Sequence, residues 1–489
     1  MSAIIRDSFR VRTLQNFISS LSSNSLYLGI GRPEYWDTVG SLDTNIPTPK
    51  NNVVSVAQDW DDMMSLKKLT PAMTSAAIFN EPWVSNTIYD QYRHDWDGSK
   101  NSVYNGSSSN VIKPASIGDV KCFVTTSSYN TYICIAQGII SGIVQPSTFS
   151  PDTGSVIGST GMVSTADGYI WLFVASTSAS DHVSFSNSFC QPIKTLLTAP
   201  ITSDAYYPQW LSQQLGASYK GGIYQIGVTT SGSGYNGGVS GFHTVTNAII
   251  DTQFTITGDG IGLQFDVAYA AGGGILSVSV TNPGSGYSYA KITAIGGTGA
   301  TFDVIFTPMS GITCDPVLTC VARYLVVSTT LTDTEGGFFT VKNDYRKISI
   351  ILNPTDFGSA VLTTAAGASA MYSMNVGTGL ISGSYNPDDI ISGTTSQAAG
   401  RVVDFDYLTG TLRYIKTPLE NFNNPFAANS FQINDTVTNV TTATSNGIIV
   451  SITNPDVQPY SGDIIYTEYR SPVMRNPAQT ENISVVLKF

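Results

Sequence analysis

Gly222-Ile-Tyr-Gln-Ile-Gly-Val-Thr-Thr-Ser-Gly-Ser-Gly-Tyr235 returns 52 residues later as Gly274-Ile-Leu-Ser-Val-Ser-Val-Thr-Asn-Pro-Gly-Ser-Gly-Tyr287. Ile223 matches Ile275, Gly234 matches Gly286 and Tyr235 matches Tyr287. A second element repeats as well, Gly262-Leu-Gln-Phe-Asp-Val267 and Gly299-Ala-Thr-Phe-Asp-Val304. Alternating Ile and Val mark strands with one face towards a core. Gly-x-Gly-Tyr supplies the conformational freedom of a turn. Residues 219–309 therefore read as a small module of twinned β-units around a shared core.

Outward from this module the β signal continues. A weaker echo is Gly447-Ile-Ile-Val-Ser-Ile-Thr-Asn-Pro455, inside a Gly/Ser/Thr/Asn-rich region, 356–458. There Gly400–Asp406 and Gly410–Ile415 predict a hairpin. Lys121–Thr126 and Thr131–Ala136 predict another, and Tyr169–Ala175 a strong strand after the turn Ala166-Asp167-Gly168. Helical spacing of Phe9, Val11, Leu14, Phe17, Ile18 and Leu21 predicts a helix over 9–21. Ser25–Gly31 alternates as a strand, and a Pro/Asn-rich loop runs from about Gly40 to Asn52. Trp60, Met63, Met64 and Lys67 predict a helix over Val56–Leu69, stopped by Pro71. The fold class expected is mainly β: a multi-domain β-sandwich framework, a few short helices near the N-terminus, and two inserted small β modules. The framework comprises 1–218 together with 310–355 and 459–489, with a subdomain around 100–200. The inserted modules are 219–309 and 356–458.

Composition narrows the function. Only 12% of the 489 residues are charged, and the net charge is −11 with pI about 4.7. Phosphate contacts need a basic face, so nucleic-acid binding is not expected. Low charge with 25 Tyr fits large surfaces buried against protein partners, where Tyr is enriched and Lys, Asp and Glu are depleted. The opening Met1–Asp7 lacks a signal-type apolar core and no run of about 18 apolar residues exists, which predicts assembly in a cytosol without membrane insertion. Cys122, Cys134, Cys190, Cys314 and Cys320 form no C-x-x-C pair and read as small core residues rather than a disulfide framework or zinc site.

Candidate chemistry is sparse. Gly232–Gly237 satisfies G-x-G-x-x-G, but Gly238-Val-Ser-Gly cannot open a good helix, so a turn is expected. Asp59, Asp61 and Asp62 offer carboxylates to a hard cation, without calcium-loop spacing; charge at a helix N-terminus is the simpler account. His94-Asp95 beside Trp96 invites a catalytic base, yet no Gly-x-Ser-x-Gly elbow accompanies the three histidines. Arg470 fits either an intersubunit clamp or an intramolecular pair with Glu468 or Glu481. No enzyme activity, cofactor or metal is expected.

Eight blocks follow one another along the chain: Phe9–Ile18, Leu26-Tyr-Leu-Gly-Ile-Gly-Arg-Pro-Glu-Tyr-Trp36, Trp60–Met73, Arg93-His-Asp-Trp96 with Tyr104, Asp167-Gly-Tyr-Ile-Trp171, Tyr345–Pro354, Ser461–Pro472 and Gln479–Phe489. Together they resemble one family, the baseplate wedge subunit of T-even-type contractile-tailed phages. Their order and their span carry the resemblance; 219–309 and 356–458 have no counterpart in it. The resemblance implies a homodimer that holds neighbouring wedge proteins together, assembles in the host cytoplasm and resides in the virion tail baseplate. It makes Arg32, Trp36, Trp60, Arg93, Trp96, Trp171, Arg470 and Phe489 interface candidates. The alternative is a receptor- or glycan-binding tail protein, an adhesin or depolymerase, in which surface Tyr and Trp stack on sugars and Asp/Glu pairs hydrolyse them; glycan contact through the inserted modules is a separate, accessory expectation.

Overall fold

The computed structural model of the protein describes residues 5–33, 36, 45–104, 113–140, 143–157, 160–246, 251–332, 339–341, 343–378, 382–416, 429–443 and 445–489. Residues 40–44 of the Pro/Asn-rich loop, and Glu34 and Tyr35 of the family-like block, lie outside them. Strands take 42% of the chain and helices 14%, so the mainly-β expectation holds. The chain forms two compact units. One comprises Met1–Phe17, Ser75–Val327 and Val485–Phe489, and the other Ile18–Thr74 and Ser328–Ser484.

The second unit contains a five-stranded antiparallel sheet in the order Gly367–Ser369, Met63–Leu69, Leu26–Gly31, Asn343–Leu352, Asp463–Arg475. Leu26–Gly31 is central, and all six of its residues are buried. Its alternating pattern therefore does not separate a wet face from a dry one, because both faces are covered. The helix expected over Val56–Leu69 is Val53–Asp61 only, and Met63–Leu69 is a strand. Asp62 closes the helix, and Met63 to Leu69 then pair with Gly31 to Leu26. In a strand buried on both sides, short-range spacing carries no period-2 signal, so the helical reading overran. Trp60, Met63, Leu66, Tyr27, Ile351 and Val457 pack into one cluster.

The same unit holds a seven-stranded sheet over residues 372–453. The expected hairpin is present as Ala399–Asp406 and Thr411–Ile415, with Asp406 capping the turn through Leu408 N and Thr409 Oγ1. The echo at Gly447 is not a third copy of the repeat. It splits into Asn446–Ile448 and Ser451–Thr453, which occupy opposite edges of the sheet. Only Ile449 and Val450 join them, so the sheet curls until its edges meet. Buried Val402, Leu412, Tyr414, Ile391, Val437 and Ile449 fill the interior.

In the first unit, a sheet runs Phe123–Thr125, Asn130–Ala136, Ile170–Ser176, Met162–Ser164, Ser155–Ile157. Trp171, Tyr169, Tyr89, Tyr132 and Cys134 pack on it. The N-terminal helix runs Asp7–Ser20; Val11 and Leu14 are fully buried, whereas Phe9 is exposed.

Among its described residues the repeat region has seven strands, here β1 (Ile223–Ser233), β2 (Gly241–Val245), β3 (Phe254–Gly258), β4 (Ile261–Tyr269), β5 (Ile275–Ser285), β6 (Ala290–Ala294) and β7 (Thr298–Phe306). Each copy's first strand pairs with the other copy's last: β1 with β7, and β5 with β4. The register repeats too. Ile223 faces Phe306 as Ile275 faces Tyr269, and the irregularity between Val228 and Thr230 returns between Val280 and Asn282. β3 and β6 pair with each other, Phe254 opposite Ala294 and Lys291 opposite Thr257, which is a local two-fold relation. The last strands, however, lie 37 residues apart, not 52.

Gly-x-Gly-Tyr does more than turn the chain. Gly234 and Gly286 have φ of 79° and 81°, a region closed to most side chains. Tyr235 N donates to Gly273 O, and Tyr287 N donates to Gly221 O, so each tyrosine hooks the start of the other copy. Both rings are buried, and each lies against a glycine, Gly297 and Gly260, where a Cβ would sit 2.6 and 2.3 Å from ring atoms. Tyr235–Gly238 is a short turn followed by β2, so no helix opens behind Gly232–Gly237.

Candidate functional site

Eight charged side chains of the second unit, seven of them buried, form one chain of alternating sign. Helix Val53–Asp61 and its C-cap bring Asp59 and Asp62 to Lys347 Nζ, at 2.8 and 2.7 Å. Asp62 also meets Arg401 at 3.2 Å, Arg401 meets Asp388 at 3.0 Å, and Asp388 meets Arg32 at 2.7 Å. Arg32 contacts Asp344 at 2.9 Å, and Asp344 contacts Arg346 at 2.7 Å. Four carboxylates thus balance four cations. Backbone oxygens complete the shell, Arg401 donating to Arg32 O at 2.6 Å and Arg346 to Pro33 O at 2.7 Å. Isolated, such charges could not be buried; in alternation, each desolvation cost is offset by neighbours of opposite sign, two for every group but the end members Asp59 and Arg346. Burial alone would push the Lys347 ammonium down, but Asp62 and Asp59 outweigh it and hold the group above its ordinary value. For Arg32 burial wins, pulling its guanidinium below its ordinary value against Asp388 and Asp344.

An aromatic rim borders the chain. Trp36 stacks on Tyr469 at 5.1 Å and donates to Arg470 O at 2.9 Å. Tyr469 donates to Asp59 at 2.9 Å, and Lys347 Nζ lies 4.8 Å from its ring centre. Arg470 pairs with Glu468 at 2.6 Å, while Glu481 pairs with Arg475. Asp59, Asp61 and Asp62 lie at the C-terminal end of their helix, not the N-terminal end, so the dipole account does not hold. Asp59 and Asp62 are placed there by Lys347 instead. Asp61 accepts from Tyr460, and burial pushes its carboxyl up to about 6.

The first unit has a smaller polar site. Arg93 forks onto Asp95 at 2.9 and 3.0 Å and reaches Asp303 of β7 at 2.5 Å. Lys100 joins Asp95 at 3.0 Å. Burial opposes the ionised form of Asp95, but Arg93 and Lys100 prevail and hold it down at about 2. A cleft of about 330 Å³ opens here, lined in part by Arg93, Asp303 and Trp96, whose buried indole N–H has no partner among the described residues. Asp95 faces Arg93 rather than His94. His94 Nδ1 accepts from Phe306 N at 3.3 Å, and its ring meets Phe306 edge-on at 5.0 Å. This arrangement attaches the repeat module to residues 91–96; Gln225 to Gln91 adds a bond of 3.2 Å.

The interface candidates thus separate into classes. Arg32, Trp60 and Trp171 are buried within their own units, at 4%, 5% and 0% exposure, and present no side chain to a partner. Arg32 belongs to the charge chain, Trp60 to the sheet's apolar cluster and Trp171 to a stack with Tyr169. Arg93 and Trp96 come together at the cleft, and Trp36 and Arg470 at the aromatic rim. Phe489 meets Phe17 at 5.7 Å. All of these five are half-buried. The five cysteines are free, and all but Cys314 are buried. Among the described residues no His, Cys, Asp or Glu cluster could hold a metal, and no helix is long and apolar enough to cross a membrane. Sequence reasoning missed Asp344, Arg346, Lys347, Asp388 and Arg401. The available signal was Asp344-Tyr-Arg-Lys347 heading the apolar run Ile348–Leu352, since charges in a fully buried strand require partners.

No family model matches the chain. Over 185 residues it is 25% identical to baseplate wedge protein gp8 of Enterobacteria phage T4. It is similar to a phage baseplate protein. The match covers 35% of this chain and 54% of the T4 protein, so the chain spans about half the length of the curated relative it matches. Four of the five strands of the second unit's sheet, Leu26–Gly31, Met63–Leu69, Asn343–Leu352 and Asp463–Arg475, fall largely in the blocks that resemble the wedge family.

Proposed function

We propose that this chain is a non-enzymatic structural component of a contractile-tail baseplate wedge, holding neighbouring wedge proteins together. The observation that carries the reading is the similarity to the T4 wedge protein, joined to the convergence of the family-like blocks on one sheet and its buried charge chain. In this reading 219–309 and 356–458 decorate a wedge-like framework, and the β-surfaces work mechanically. Rigid bodies with a charge-balanced interior transmit force, and interfaces between them re-pair when the baseplate changes shape on host contact. The chain associates as a two-fold homodimer, assembled in the host cytoplasm and carried in the virion.

Light scattering on the purified chain, alone and mixed with the other baseplate proteins of its phage, tests this. The expected result is a dimer of about 104 kDa, twice the 52.1 kDa chain, that enters a larger complex. A trimer or monomer that ignores those proteins and binds host cells would sink the reading in favour of an adhesin.

A further inference from the structure

The two copies in the repeat module differ in one respect. Their first strands are offset by 52 residues and their last by 37, so the first copy holds 15 residues that the second lacks. That excess contains β2. It pairs along β4, Gly241 opposite Tyr269, His243 opposite Val267 and Val245 opposite Phe265. His243 stacks on Phe254 of β3 at 6.3 Å and is held by Asp251 at 2.9 Å. Beneath this strand Phe265 and Val267 are fully buried.

The second copy has the same groove without the strand. Phe302 and Val304 of β7, the counterparts of Phe265 and Val267, are only half-buried. They line an open groove of about 490 Å³ between β6 and β7. Among the described residues β7 pairs with β1 alone. Thr307 N points to β1, donating to Gly222 O, so strand alternation turns the N–H groups of Phe302, Val304 and Phe306 outward. His94 already accepts that of Phe306. Lys291 stands where the first copy has Phe254; it is exposed and has no hydrogen-bond or ion-pair partner among the described residues.

We propose that the β6–β7 groove docks one extended segment of a partner polypeptide, which adds to the edge of β7 at Phe302 and Val304, short of the His94 contact at Phe306, as β2 adds to β4. The preferred segment places an acidic residue opposite Val304, where its carboxylate reaches Lys291, and covers Phe302 with an apolar neighbour. The chain's own β2 is committed to the first copy by its ladder and by Asp251. The inference stands on the asymmetry of the module and does not depend on the assembly role above.

The probe is a fluorescent peptide of residues 240–246 carrying H243D, titrated onto the full-length chain. It should bind saturably, about tenfold tighter than the H243K peptide, since opposite-charge pairs across strands contribute and like charges repel. Lys291→Glu should reverse that order. Val304→Pro should abolish binding; the N–H it removes faces away from the β1 ladder, so the variant should remain folded, at some cost in stability from the lost Val304 packing. Absence of saturable binding at millimolar peptide, or an order unaffected by Lys291→Glu, would overturn the proposal. A dimer that the peptide dissociates would identify a second copy's β2 as occupant and likewise overturn assignment to a different partner.

Discussion

The Gly-rich regions 219–309 and 356–458 are joined to the rest of their units by different physics. The first is attached by a half-buried arginine fork, Arg93 with Asp95 and Asp303, by His94 on Phe306 and by Gln225 on Gln91. The second contributes Asp388 and Arg401 to a largely buried chain of eight alternating charges. Internally the order reverses. The first region is specified by symmetry, each tyrosine hooking the opposite copy, whereas the second is a sheet curled on itself with no repeat. The comparison separates specification from attachment. A region can encode its own shape through glycine geometry and an apolar core, yet depend on distant charges to fix it to its neighbours.

The largest expected effect comes from breaking the charge chain. Lys347→Ala leaves Asp59 and Asp62 facing each other in the interior, and the loss should be about 3–5 kcal/mol in urea unfolding. Replacing Lys347 by Met together with Asp59→Asn and Asp62→Asn should recover much of it. Next, Gly260→Ala and Gly297→Ala push a methyl group into the rings of Tyr287 and Tyr235. Each should cost about 2 kcal/mol, and the two costs should agree to within about 0.5 kcal/mol if the two-fold relation governs packing. Unequal costs would break the symmetry argument. Arg93→Ala should cost about 1 kcal/mol, because its partners are solvent-screened, and should raise amide exchange in β7 more than in β4.

The smallest effect is a matter of pH. Asp61 titrates at about 6 in the folded chain, above its ordinary 3.8, because burial disfavours its charge. A raised carboxyl contributes stability that is present below pH 4 and lost as pH rises through 6. Asp61→Asn should therefore stabilise the chain at pH 7 by about 1 kcal/mol, after discounting for solvent, and leave it unchanged at pH 4. Thermal unfolding at the two pH values checks the sign.

The sequence reveals these features unequally, for a physical reason. The module was legible because positive-φ glycines and buried tyrosines are local demands that leave the same letters in each copy. The 37-residue offset of the Phe-Asp-Val elements was equally readable and carried the extra strand. The charge chain was not legible, since Asp62 and Lys347 are 285 residues apart and Arg401 and Asp62 are 339 apart. Nothing in either neighbourhood names its partner. The strand Met63–Leu69 was misread for a related reason: a strand covered on both faces loses the alternation that identifies it.

Electron microscopy of tails made by the phage with this chain's gene interrupted tests the central claim most directly. A structural wedge component predicts incomplete or absent baseplates, restored when the purified chain is added to the lysate. Complete baseplates on normal tails that merely fail to adsorb would contradict the account.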